Sequence, residues 1–205
     1  MKKNLKRRDF IKKAGLAGAA ATAVSSFPAP AIAAGHQEWI ICSAFGKAGL
    51  LGQAIQAFAD NVSSYSDKLK MKVYHAGELV PGLESLDAVR SGAAQASYGA
   101  PYYWTNLSDA IEFVATCPFG MNAMEQNAWC YYGGGIEEAD KIYNALGLKF
   151  LPMGNTGNQM GGWFNKEINT PADYKGLKMR MPGLGGRTIE KLGATPVLLA
   201  GPDVL

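Results

Sequence analysis

An α/β fold is the class this sequence predicts, and three observations predict it. Strand-like apolar runs alternate with helical periods in the order β-α-β-α-β between Glu38 and Gly99. That order argues for a mainly parallel sheet with helices on both faces. A later run, Leu177–Met181, alternates cleanly, with Leu177, Met179 and Met181 on one face and Lys178 and Arg180 on the other. Hydrophobic residues make up 48% of the chain, enough to bury a substantial core and to argue against disorder.

The elements follow in order. Glu38–Phe45 reads as a buried first strand. Gly46–Gly49 punctuates it, and Leu51, Ile55, Phe58 and Val62 then recur at amphipathic helical spacing. Leu69–His75 is a second strand. Pro81 opens a helix at its first turn, with Leu83, Leu86 and Val89 facing inward and Gly92 stopping it. Gln95–Gly99 is a third strand, followed directly by Pro101-Tyr102-Tyr103-Trp104. Phe113–Cys117 reads as a fourth strand, and Glu125–Tyr132 and Ile136–Leu146 as helices. The glycines 133–135 break those two apart, since each costs about 1 kcal/mol in a helix relative to alanine. Phe150–Met153 is strand-like and feeds a Gly/Asn-rich bend that holds Gln159. Beyond it come a strand at Gly162–Asn165, a turn at Thr170–Tyr174, the strand Leu177–Met181, a helix at Arg187–Leu192 and a strand at Thr195–Leu199. Gly201-Pro202-Asp203 has the form of a helix start. The organisation expected is a first α/β lobe over residues 34–154 and the opening of a second over 155–205.

Residues 1–33 stand outside that fold. Lys2, Lys3, Lys6, Arg7 and Arg8 form a basic start, Ala14–Val24 is an apolar run of 11 residues, and Ala31-Ile32-Ala33 is a small-residue cleavage pattern. Eleven residues of helix span about 16 Å against a hydrocarbon core of about 30 Å, so a cleaved export signal fits better than a membrane anchor. Arg7-Arg8-Asp9-Phe10-Ile11-Lys12 further resembles a twin-arginine signal, with Lys6 where Ser or Thr is usual. Cleavage is expected after Ala33, placing the protein in the periplasm. The net charge of +3 then changes sign. Seven of the 20 basic residues and one of the 17 acidic residues precede Ala34, leaving 13 and 16, a net −3. Nucleic-acid binding loses its compositional support.

Arg180 sits near the carboxyl end of its strand, because Pro182 cannot donate to a sheet ladder. Ligands of open α/β sheets lie at such ends, and a guanidinium matches a carboxylate fork. An ion pair with Asp173 or Glu190 is the plainer role for it. Tyr102, Tyr103 and Trp104, at a strand end, suit the apolar wall of a ligand site or ordinary loop packing. Gln159 by itself reads as a polar loop residue. Gly183-Leu184-Gly185-Gly186 is either a tight turn or a set of N–H donors to an anion. Cys42, Cys117 and Cys130 allow at most one disulfide, contain no CxxC and default to burial. His36 and His75 are the two histidines, and no G-x-S-x-G, H-E-x-x-H or P-loop occurs, so catalysis finds little support.

Longer strings are more specific. They comprise Y-Y-W at Tyr102, P-F-G at Pro118, E-Q-N-A-W at Glu125, Y-Y-G-G-G at Tyr131, G-N-T-G-N-Q-M-G-G-W-F at Gly154 and G-L-K-M-R-M-P-G-L-G-G at Gly176. In that order, from about Trp39 to the last residue, the chain resembles the DctP substrate-binding subunits of tripartite ATP-independent periplasmic (TRAP) transporters. It looks closest to the branch that binds 2-oxo acids and related monocarboxylates. The resemblance implies a two-lobe, type II-like periplasmic binding fold whose second lobe is incomplete in this chain. It implies Arg180 as the ligand of the substrate carboxylate. It also implies Gln159 beside the substrate, its carbonyl helping to hold a bridging cation such as sodium. Tyr102, Tyr103 and Trp163 are then candidates for the apolar wall. Asn158 stands where relatives often carry Val. The E-W-x-G-P segment that supplies a further cation ligand in the family is absent from this sequence. The partners implied are a small carboxylate and the membrane subunits of a TRAP transporter, with no enzyme cofactor. The competing class is a periplasmic enzyme exported folded around a cofactor by the twin-arginine route.

Overall fold

The computed structural model describes residues 35–115 and 117–204, so the predicted export signal lies outside the described residues. Its first sheet has three parallel strands. They are β1 (Gln37–Ser43), β2 (Leu69–Tyr74) and β3 (Ala96–Tyr98), in the order β2-β1-β3. Trp39 pairs with Met71 and Cys42 with Ser97. Successive β1 side chains face opposite ways, and the packing follows from this. Ile41 points to one face, where helix α1 (Leu50–Tyr65) covers it with Ile55 and Ala59. Cys42 points to the other, where it meets Ala88 of helix α2 (Ser85–Arg90) and Ala94. The inward stripe of α1 is Gly52, Ile55 and Ala59, whereas Phe58, expected inside, is 42% exposed. Gly52 is required there: a Cβ would lie 2.1 Å from the carbonyl oxygen of Gly46.

The chain that follows β3 is helical. Short 3-10 helices at Pro101–Trp104 and Ile111–Val114 precede α3 (Ala123–Tyr132) and α4 (Gly135–Asn144). Asn122 and Glu125 form a reciprocal capping box at the start of α3. The predicted glycine break is real, with Gly134 in the left-handed region at φ 85°. The larger core cluster gathers here, with Ala44, Leu86, Tyr103, Trp104, Ile111, Val114, Ala139 and Tyr143 in contact. Trp104 anchors it by donating its indole N–H to the Leu83 carbonyl at 2.8 Å.

Further expectations are corrected. The predicted strand Phe113–Cys117 is instead the 3-10 helix Ile111–Val114 followed by irregular chain, with Thr116 outside the described residues. Its buried apolar residues, Ile111 and Val114, lie three apart, while Phe113 is exposed. Neither Phe150–Met153 nor Gly162–Asn165 is a strand. Phe150 turns its ring onto Tyr143 (centroids 5.1 Å apart), Pro152 has no N–H to offer a ladder, and Gly162 takes φ 152°. The three cysteines are free, and Cys117 is exposed rather than buried.

A second sheet follows: β4 (Lys178–Arg180) and β5 (Thr195–Val197) form a two-stranded parallel pair crossed over by α5 (Gly183–Lys191). Helix α5 begins four residues before its predicted start, so Gly183–Gly186 form its first turn rather than a tight turn.

Candidate functional site

Two segments, residues 102–112 and 180–187, meet through side-chain contacts. Arg180 is the last residue of β4 and is half-buried. Its Nε and one terminal nitrogen, Nη2, donate to the Leu199 carbonyl at 3.1 and 3.0 Å, and Nη2 also donates to the Tyr103 hydroxyl at 3.0 Å. The guanidinium carbon lies 5.7 Å from the Tyr103 ring centroid. Of the five N–H donors of an arginine, the two on Nη1 make no hydrogen bond among the described residues. The ion pair with Asp173 or Glu190 does not form. Asp173 is turned onto its own turn, accepting from the backbone N–H groups of Asn169 and Thr170 and from the Thr170 hydroxyl.

Tyr103 is buried and stacked edge-on between Tyr102 and Trp104, at 5.1 and 6.1 Å. Burial pushes the Tyr102 hydroxyl above its ordinary pKa, Tyr103 adds to the rise, and the Arg180 charge opposes it. Two further contacts cross between the same segments. The Leu184 backbone N–H, in the first turn of α5, donates to Glu112 Oε2 at 2.7 Å. Arg187 pairs with Asp109, whose carboxyl it holds below the ordinary aspartate value. A crevice of about 230 Å³ opens beside this seam, lined among others by Thr105, Pro182, Arg187 and Leu198.

The structure thus brings Tyr102, Tyr103 and Arg180 together and leaves Gln159 and Trp163 on the surface. Gln159 donates its amide N–H to the Thr156 hydroxyl at 2.6 Å, and its carbonyl accepts no hydrogen bond among the described residues. Trp163 is 89% exposed. Neither makes a hydrogen bond or ring contact with the Arg180–Tyr103 pair. Among the described residues no three His, Cys, Asp or Glu side chains cluster as metal ligands. The Gln159 carbonyl suits a hard cation but is one ligand of the several such an ion needs. His75 is buried, and among the described residues neither ring nitrogen is hydrogen-bonded, so it has no acid–base partner there. Sequence reasoning did not single out Glu112, Asp109 or the Leu199 carbonyl. A glutamate inside the apolar run Ile111–Val114 was the one available signal.

The family model for bacterial extracellular solute-binding protein, family 7 (DctP), matches residues 44–205. The chain belongs to the DctP family. It is 39% identical, over 98% of its length, to the monocarboxylate 2-oxoacid-binding periplasmic protein of Nostoc sp., of which it spans 56%. Among solved structures it resembles a TRAP periplasmic solute-binding protein of Pseudoalteromonas atlantica with bound sodium and pyruvate. There the TM-score is 0.79 and the identity 41%, over 82% of this chain and 52% of that one. A Colwellia psychrerythraea TRAP solute-binding protein with bound calcium and pyruvate gives a TM-score of 0.78 and 40% identity, with the same coverage. The chain spans about half the length of the relatives it matches. Its fold is that of the two-lobe α/β solute-binding proteins over the part it spans.

Proposed function

We propose that this chain carries the carboxylate-capturing half of an exported solute-binding protein. Its ligand is a small 2-oxo or 2-hydroxy monocarboxylate such as pyruvate, lactate or a longer 2-oxo acid. Delivery is to the membrane subunits of a TRAP-type transporter, and residues 1–33 direct export to the periplasm. The single observation that carries the reading is the state of Arg180. Its guanidinium is held in place at a strand end by the Leu199 carbonyl and the Tyr103 hydroxyl, while neither Nη1 donor makes a hydrogen bond among the described residues. A held cation with spare donors needs little reordering to accept an anion. The relatives named above support the ligand class, because pyruvate is bound in two of them and the third is named for 2-oxo acids.

In this reading Arg180 pins the carboxylate and Tyr102 and Tyr103 wall the adjoining apolar part. Gln159 contributes its carbonyl to a cation bridging to the ligand, and Trp163 closes over the other side. The lobes meet near Asn155, and hinge closure brings Gln159 and Trp163 toward Arg180. No covalent step is involved.

The test is isothermal calorimetry with pyruvate, lactate and longer 2-oxo acids. It is run on this chain and on a hybrid in which the chain is joined to the part of the Nostoc relative that it does not span. Micromolar binding by the hybrid is expected, with weaker binding by the chain alone. Absence of binding to every acid in both forms would refute the reading. So would a stoichiometric chromophore or transition metal in the purified protein, which would point to the cofactor enzyme.

A further inference from the structure

Helix α5 starts three residues after Arg180 with an unusual terminus. It has nine residues, no side-chain cap of its own and no acidic residue in its first turn. Its unpaired N–H groups and positive dipole end would ordinarily attract an anion. The structure fills that place from the other lobe. Glu112, only 5% exposed, accepts the Leu184 N–H. Its second oxygen, Oε1, is buried without a hydrogen-bond partner among the described residues. The approach is close enough to dictate a residue: a Cβ on Gly183 would lie 2.2 Å from Glu112 Oε2 and 3.1 Å from the Tyr102 Cβ. Gly183 also takes φ +60°, which other residues rarely adopt. Glu112, Gly183 and Tyr102 therefore form one packed junction, on the same two segments that join Tyr103 to Arg180. Gly183 stands three residues after Arg180, so their backbone positions lie no more than about 10 Å apart.

We propose that Glu112 is a positioning and specificity-determining residue. By capping α5 from the tyrosine segment it fixes Arg180–Gly183 in place, and it denies the helix terminus to a second carboxylate on the ligand. The chain then favours acids with one carboxylate: the first meets Arg180, and a second would face a buried carboxylate at the helix terminus. This inference rests on the carboxylate reading of Arg180.

The experiment titrates the chain and the hybrid with pyruvate and with 2-oxoglutarate, which share the 2-oxo acid head and differ by a distal carboxylate. The parent should prefer pyruvate by at least about 100-fold. Glu112→Gln keeps a carbonyl acceptor for Leu184 and removes the charge. It should bind pyruvate within about threefold of the parent, bind 2-oxoglutarate at least tenfold more tightly, and melt within a few degrees of the parent. Glu112→Asp should keep the parental preference. A purely structural residue would weaken both acids together and leave their ratio alone. An unchanged ratio in a folded Glu112→Gln protein overturns the proposal. A parent that binds both acids equally overturns it with no variant needed. If neither parent form binds either acid, the Arg180 reading fails and this one falls with it.

Discussion

Replacing Arg180 by lysine separates charge from geometry at the centre of the candidate site. In the structure three donors of Arg180 are spent on holding it, two to Leu199 and one to Tyr103, which leaves the pair on Nη1 for a ligand. An ammonium has three donors on one atom. If it satisfies the Leu199 carbonyl and the Tyr103 hydroxyl, one donor remains where Arg180 offers two on Nη1. A charge-assisted hydrogen bond is worth about 1.5–3 kcal/mol, so losing one should weaken binding by roughly 10- to 150-fold. Arg180→Ala removes every contact and should weaken binding further. It also strips the buried Tyr103 hydroxyl and the Leu199 carbonyl of their donor, at about 1–3 kcal/mol of stability. Calorimetry of pyruvate on the hybrid, with a thermal melt of each variant, reads both effects. The lysine variant should melt close to the parent and bind poorly; the alanine variant should lose on both counts. If both variants bind pyruvate as tightly as the parent, Arg180 is not the carboxylate ligand.

Three further outcomes are expected. Tyr103→Phe keeps the buried ring but removes the acceptor of the Nη2 hydrogen bond, so pyruvate affinity should fall by roughly 2- to 10-fold with little change in melting temperature. Parental affinity would show that the hydroxyl does not position Arg180. Gln159→Leu removes the free carbonyl and should both weaken pyruvate binding and flatten its sodium dependence; affinities insensitive to sodium in parent and variant alike would remove the cation from the account. The third concerns acid. Arg187 depresses the Asp109 carboxyl in the folded state, so this pair stabilises the fold above the ordinary aspartate value and its contribution is lost as pH falls through the lowered one. Between about pH 5 and pH 3, the melting temperature of the parent should therefore drop more steeply than that of Asp109→Asn. Parallel curves would show that the pair contributes nothing measurable.

Legibility in the sequence tracks how local each cause is. The alternation of Leu69–His75 and the i, i+4 spacing around Ile55 are properties of neighbouring residues, and both elements formed where that spacing placed them. The glycine break before α4 is likewise local, a matter of backbone freedom at one position. Phe113–Cys117 failed for the opposite reason. An apolar run is compatible with a strand or with a tight helix, and here burial against Tyr143 and Trp104 selected spacing by threes. Phe150–Met153 failed because a strand needs a partner with free edges, and no run of residues announces one.

The same division holds for the site. Arg180 was readable from its own strand, since a period of two and a following proline are enough to put a guanidinium at a carboxyl end. The α/β class, the family strings and the charge reversal after Ala33 are also properties of the sequence alone. Which groups hold Arg180, and which of its donors are left over, depends on residues 19 and 77 positions away. Only the folded chain brings those together. Glu112 shows the limit most sharply. Its role is set by a helix terminus 72 positions downstream, because a dipole end and an unpaired N–H are products of tertiary placement and leave no mark on the residue that caps them.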